Sequence, residues 1–238
     1  MYKFGKCDFM WEYASRAPWA NSRFGGGATA GDNAYDVCGE EASMDLWAPW
    51  IDSLFDPDNA VCFFWLVWPH MEWGYRFIRA CGFKPSTLAF DWVKTCKNDD
   101  ASFNGGGGFW TGSNSELCLL GYRGKMEPVA KLVGQVVESY YSWDDFTAPI
   151  TVKHPHPRDE NGKIIHSRKP DIIRQKIELM YPPALYGRGI GLFEREAQGE
   201  HWDVFGNQVE GSIEGPDFRQ TKLITLPDGY QLPLLAVC

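Results

Sequence analysis

Positive charge is scarce in this chain. It carries 23 lysines and arginines against 31 aspartates and glutamates, a net of −8. Broad adhesion to a polyanion is excluded, and any nucleic-acid contact must be local. Paired cysteines are missing too. Seven cysteines stand at 7, 38, 62, 81, 96, 118 and 238, an odd count with no C-x-x-C spacing. That excludes a disulfide scaffold and a cysteine-built zinc site. With no secretory leader recognisable, a reduced, cytoplasmic protein is expected. His154 and His156 flank Pro155, but no cysteine or acid stands at a ligand spacing from them, so no metal is expected. Long apolar runs are lacking. The longest, Val61 to Pro69, falls far short of the roughly 18 residues of a membrane helix, so no membrane partner is expected. Gly187, Gly189 and Gly191 crowd too closely for a dinucleotide fingerprint, and there is no Walker A sequence. No repeat and no linker divides the chain, which reads as one domain, residues 1–238.

What is present is apolar and aromatic. Hydrophobic residues make up 44% of the 238 positions, enough for a large buried core. Eleven tryptophans occur. Many must lie in the core, but aromatic walls also suit planar bases. Residues 3–9 read as a short strand ending at Asp8, followed by a Gly-rich loop from about 14 to 42. Pro49 opens a helix over 49–55. Val61–Trp68 is a continuous apolar run, as in a central buried strand. His70–Cys81 has helical spacing and stops at Gly82. Thr87–Val93 and Leu117–Tyr122 read as strands around a loop at Gly105–Gly108, and 126–141 fits helix or strand. Asn161-Gly162 marks a hairpin turn. Pro170–Met180 reads as a helix with Ile173, Ile177 and Met180 on one face. A strand falls within Ala184–Phe193, and another within Gln231–Val237. Alternating strands and helices predict an α/β fold with a mostly parallel sheet and helices on both faces.

One ordered set of short stretches carries more. His166-Ser167-Arg168-Lys169-Pro170-Asp171 comes first. Leu192-Phe193-Glu194-Arg195 follows, then Trp202-Asp203-Val204-Phe205-Gly206-Asn207-Gln208, whose six leading residues would alone be a turn. This set resembles the cofactor half of the adenine-N6 methyltransferase family typified by the catalytic subunit of the mRNA adenosine methyltransferase. Bacterial and phage members of that family modify DNA. Asp8-Phe9-Met10-Trp11 stands where the family has aspartate-proline-proline-aromatic. Ala34-Tyr35-Asp36-Val37, Phe64-Trp65-Leu66-Val67, Trp92-Val93-Lys94-Thr95, and Trp110, Glu116 and Leu120-Gly121 extend the resemblance to about residues 3–211.

The resemblance implies a Rossmann-like fold binding S-adenosylmethionine (SAM), with the motif order permuted. It implies Lys169, Phe193, Arg195, Asn207 and Gln208 at the cofactor. It implies that Asp8, Phe9, Met10 and Trp11 form the catalytic corner. The Asp8 carboxylate and the Phe9 carbonyl would accept hydrogen bonds from the exocyclic amine of adenine, and Trp11 would stack on the base. That is catalysis by positioning and electrostatics. The expected substrate is DNA rather than RNA. The segment 153–176 holds seven lysines and arginines against three acids, and Lys153, Arg158 and Lys163 are the expected nucleic-acid contacts. The changed Phe9-Met10 pair keeps alternatives open. These are a different amine, a free nucleotide, transfer of a non-methyl group, or a non-catalytic binding subunit.

Overall fold

The apolar run at 60–66 becomes a strand with both faces covered. In the computed structural model, β2 (Ala60–Leu66) is buried at every position. Ala60, Cys62, Phe64 and Leu66 join one apolar cluster, and Val61, Phe63 and Trp65 join another. Successive strand residues point to opposite faces, so each set of alternate residues meets a different layer. The structure describes residues 1–11, 38–96, 114–141, 154–155, 168–207, 209–218, 223–225 and 231–233.

Eight strands form the main sheet. They are β1 (Phe4–Cys7), β2, β3 (Lys84–Cys96), β4 (Ser115–Arg123), β5 (Val136–Tyr141), β6 (His154–Pro155), β7 (Gly189–Leu192) and β8 (Trp202–Phe205). Their order is β6-β5-β3-β4-β2-β1-β7-β8. Pairing is parallel except at β4, which runs antiparallel to both β2 and β3. The protein is thus α/β with a mostly parallel mixed sheet. A separate antiparallel pair joins β9 (Leu223–Thr225) to β10 (Gln231–Pro233).

Helices cover both faces. On one side, α1 (Glu40–Ala42) runs through a π-helical turn, Ser43–Trp47, into α2 (Ala48–Leu54). Beside it lies α3 (Met71–Ala80), entered through the 3-10 turn Trp68–His70. Trp47, Ile51, Phe77 and Ile78 pack from these helices against the β2 residues of the first cluster. On the other face α4 (Asp171–Met180) inserts Ile173 and Ile177 among Phe63, Phe90 and Trp92. A short α5 (Pro183–Tyr186) precedes β7.

Several elements differ from the sequence reading. The helix expected over 49–55 starts at Glu40, inside the expected loop, and Pro49 falls within its first α-helical turn. Pro170 caps α4 from outside rather than opening it. Only 136–141 of the ambiguous stretch is regular, and it is strand. Residues 202–205 are a strand, not a turn, because β7 offers a parallel edge that pairs Gly189 with Trp202 and Leu192 with Phe205. The turn at Asn161-Gly162 and the Gly105–Gly108 loop lie outside the described residues, as does the Gly-rich loop up to residue 37.

Candidate functional site

β1 and β7 are parallel neighbours, yet the chain leaves them in opposite directions. β1 leads to β2 on one side, and β7 leads to β8 on the other. Such a divergence opens a crevice at the carboxyl ends of the two strands, where α/β sheets bind ligands. Asp8 and Phe193 are the first residues past those ends. The Asp8 amide donates to the Leu192 carbonyl at 3.1 Å, which closes the floor between them. A cleft open to solvent rises from this floor. Its walls are Asp8, Phe9, Met10, Trp11, Trp65, Leu66, Val67, Glu116, Lys169, Phe193, Arg195, Asn207 and Phe218.

A chain of alternating charges lies on one side. The Lys169 ammonium donates to Asp8 Oδ2 at 2.8 Å and lies 3.1 Å from Glu116 Oε2. Glu116 Oε1 in turn accepts from Lys94 Nζ at 2.5 Å. Lys169 sits 5.1 Å from the Trp65 ring centroid and 5.9 Å from that of Trp92, and Lys94 lies 4.6 Å from Trp92. The side chain of Lys169 is 7% exposed. Burial pushes its pKa down, but Asp8 and Glu116 outweigh burial and the pKa is raised. Burial pushes Glu116 up, yet Lys169 and Lys94 prevail and hold it down at about 2. A paired, hydrogen-bonded ammonium of this kind keeps its proton across the working pH range.

The corner after β1 is packed. Phe9, Met10 and Trp11 are all buried. The Phe9 ring lies 4.4 Å from Phe77, 5.0 Å from Trp11 and 5.0 Å from Phe193. Trp11 stands edge-on to Trp73 at 4.8 Å, and its Nε1 donates to the Trp65 carbonyl at 3.0 Å. The Trp11 amide donates to the Phe9 carbonyl at 3.0 Å. The Met10 carbonyl accepts from the Cys38 amide at 2.7 Å. A carbonyl has two lone pairs. The Phe9 oxygen therefore keeps one acceptor site besides the one Trp11 uses.

On the opposite wall, Phe193 adopts φ +63°. Bulky side chains rarely occupy that left-handed region, and a held outlier of this kind is a common feature of ligand sites. Its ring is fixed by Phe9, by Trp47 at 5.1 Å and by Phe205 at 5.9 Å. The next residue, Glu194, turns inward to Lys6, 3.0 Å away, and Lys6 also donates to Gln198 Oε1 at 2.8 Å. Burial raises the Glu194 carboxyl pKa, against the pull of Lys6. Arg195 then lines the cleft, as does Asn207.

The structure therefore gathers residues from both ends of the chain. Asp8, Phe9, Met10, Trp11, Lys169, Phe193, Arg195 and Asn207 line one cleft. Two groups expected to serve different partners, Asp8 and Lys169, are bonded to each other. Trp11, expected to stack on a base, is 3% exposed and holds its indole against the core. Gln208, Lys153, Arg158 and Lys163 lie outside the described residues. Phe218 is not among the expected site residues, and Trp65, Lys94 and Glu116 enter the expectation only within resembling stretches. The signal for Glu116 is an acid just before the apolar run Leu117–Leu120, and for Lys94 a cation two residues after Trp92.

The chemistry left to the cleft is specific. Burial raises the thiol pKa values of Cys7 and Cys118, the cysteines nearest the charged chain, so neither is a thiolate nucleophile. Among the described residues no group of histidine, cysteine and acid side chains is arranged to hold a metal ion, and no helix is long and apolar enough to cross a membrane. What remains is a carboxylate acceptor, two cations, an amide and aromatic walls. Neither family models nor curated proteins give a match to this chain.

Proposed function

We propose that the protein transfers a methyl group from S-adenosylmethionine to an exocyclic amine, with adenine N6 in nucleic acid as the target. The observation that carries this reading is convergence. The stretch after β1 and the three stretches of the C-terminal half resemble one family, and each contributes lining residues to one cleft at the β1–β7 divergence, Lys169, Phe193, Arg195 and Asn207 from the latter three. That site is where a Rossmann-like sheet would bind a nucleoside cofactor. The antiparallel β4, between β2 and β3, adds Glu116 to the wall of this crevice.

The donor set fits such a cofactor. Arg195 and Asn207 offer a cation and an amide for a carboxylate and for ribose hydroxyls, while Phe193 and Phe218 offer apolar faces for a purine. Lys169, expected at the cofactor carboxylate, divides its charge between Asp8 and Glu116, and Arg195 adds a second cation to the cleft wall. Bound there, SAM would supply an electrophilic methyl on sulfur. The chain's own part is positioning. Asp8 accepts an N–H of the acceptor amine and aims its lone pair, with the second acceptor site of the Phe9 carbonyl beside it. The aromatic corner excludes water, which strengthens both hydrogen bonds.

Calorimetry with SAM and with its demethylated product tests the reading. One site is expected, and Asn207→Ala should weaken it by about 1 kcal/mol or more, the scale of one lost hydrogen bond. Folded protein that binds neither ligand overturns the assignment. A nucleoside digest of DNA and RNA from expressing cells then separates methyladenine from any other modified base.

A further inference from the structure

Among the described residues Lys169 pairs with two anions, and the proposed transfer needs only one of them. Asp8, on the corner after β1, faces the cleft. Glu116 enters from β4, one strand beyond β2, and no part of the proposed transfer requires it. Yet its two oxygens are both committed, Oε2 to Lys169 at 3.1 Å and Oε1 to Lys94 at 2.5 Å. Lys94 is itself fixed over Trp92. A lysine side chain is long and flexible and costs up to about 2 kcal/mol of rotamer entropy to hold. Between the Trp65 and Trp92 rings alone, its ammonium could slide. The Glu116 carboxylate sets where it stops.

We propose that Glu116 is a positioning residue of this site: anchored by Lys94, it holds Lys169 between two carboxylates and so fixes the Asp8 carboxylate while leaving it strong enough to accept an amine N–H. The assignment rests on the transferase reading for its purpose and on geometry for its existence. Without Glu116 the whole ammonium charge falls on Asp8, whose second oxygen then becomes a poorer acceptor and whose rotamer follows a looser partner. A displacement of about 1 Å at such a group costs on the order of 100-fold in rate. Among the described residues, the groups that face Lys169 include Asp8 on the corner after β1, Glu116 and the neutral thiol of Cys118 on β4, and Glu194 after β7. Glu194 is committed to Lys6, so Glu116 and Asp8 dominate.

Lys94 gives the test a sign. Glu116→Gln removes one of the two anions on Lys169, which should then lose its proton at lower pH. Lys94→Met removes the competitor for Glu116, which should bind Lys169 more fully, so that proton loss occurs at no lower pH than in the parent. Both variants disturb packing in the same region, so a purely structural role would impair them alike.

The experiment follows the lysine Cε signals of 13C-labelled protein through a pH titration, with Lys169→Arg to assign the resonance. It is paired with the pH dependence of methyl transfer. The expected result is a Lys169 signal that stays that of the ammonium throughout in the parent and in Lys94→Met, and a titration that comes within the alkaline range in Glu116→Gln. For Glu116→Gln, kcat should fall on the order of 10- to 100-fold at little-changed cofactor KM, with the alkaline limb of the profile moving down. Glu116→Asp should recover part of the rate. An unmoved lysine signal in Glu116→Gln overturns the proposal, and so does a moved signal with unchanged transfer. If Glu116→Gln does not fold, a downward move in Lys94→Met overturns it and its absence upholds it. If the parent transfers no methyl group to any amine, the functional reading is lost, and the hold of Glu116 on Lys169 is decided by the lysine spectra alone.

Discussion

Gly206→Ala concentrates the logic of the site in one methyl group. Gly206 separates Phe205, the last residue of β8, from Asn207 in the cleft. A Cβ at this position would stand 1.8 Å from the Glu194 carbonyl oxygen, 2.9 Å from its carbon and 3.0 Å from its amide nitrogen. All three are backbone atoms, so no rotamer change relieves the overlap. The two segments are also stitched together, because the Glu194 amide donates to the Phe205 carbonyl at 2.9 Å. To reach ordinary contact they must part by more than about 1 Å, which costs about 1–3 kcal/mol of overpacking strain and roughly 1 kcal/mol for the hydrogen bond. Arg195 and Asn207 flank this contact, so the same displacement should weaken ligand binding. Urea unfolding should give a midpoint shift equal to about 2–4 kcal/mol at constant slope, and calorimetry should show a parallel loss of SAM affinity. A variant with the parent's midpoint and the parent's affinity would refute the close-approach argument, since that overlap admits no neutral outcome.

Four further outcomes follow from the same geometry. Glu116 is held down at about 2 against an ordinary 4.5; its stabilising contribution is present above the ordinary value and lost as pH falls through the lower one. Unfolding free energy should thus fall more steeply across that window in the parent than in Glu116→Gln, and equal slopes would contradict the pairing. Asp8→Asn keeps shape and removes the charge; transfer should fall by about 100-fold or more with SAM binding retained, and an unimpaired rate in radiolabel assays removes Asp8 from the chemistry. Replacing Lys153, Arg158 and Lys163 with Ala should weaken nucleic-acid binding and flatten its salt dependence; an unchanged salt slope in filter binding favours a small acceptor. Phe9→Pro with Met10→Pro restores the family pattern but deletes the Phe9 ring from its cluster, and should destabilise by about 3–5 kcal/mol; calorimetric unfolding at the parent's temperature would show that the corner does not depend on that ring.

Strong local signals were readable in the sequence. The apolar run ending near Leu66 gave a central strand, and the helical spacing closed by Gly82 gave α3, because burial on both faces and a left-handed stop leave local marks. Where partners decide the conformation, they do not. Trp202–Phe205 is rich in strand-forming residues, but four positions ahead of Gly206 are too few to mark a strand without β7 beside them. The helical start at Glu40 depends on tertiary contacts such as Trp73 Nε1 donating to Ser43 Oγ at 2.8 Å. The same limit applies to the site. Asp8 and Lys169 are 161 residues apart in the chain. Each could be suspected singly, but nothing in either neighbourhood predicts that they share a proton-bearing contact. Glu116 and Lys94 face each other only because β4 pairs with β3 in the register that sets Trp92 opposite Glu116.

The loss of two prolines from the Asp8 corner is the largest departure from the resembled family, and the structure gives it a physical reading. Prolines would stiffen the corner by fixing φ. Here the backbone is held by other means. The Asp8 amide is tied to β7, the Trp11 amide to the Phe9 carbonyl, and the Met10 carbonyl to the Cys38 amide. The Phe9 ring, 3% exposed, closes the corner against Phe77 and the left-handed Phe193. Stiffness therefore comes from packing shared with the opposite wall rather than from local covalent constraint. That coupling has a consequence for binding. A ligand that shifts Phe193 must also shift Phe9, and Phe9 is the residue next to the Asp8 carboxylate. A corner built from two prolines would be rigid whether or not the Arg195–Asn207 side of the cleft is filled. One built around Phe9 ties the aim of Asp8 to the occupancy of the Phe193 wall.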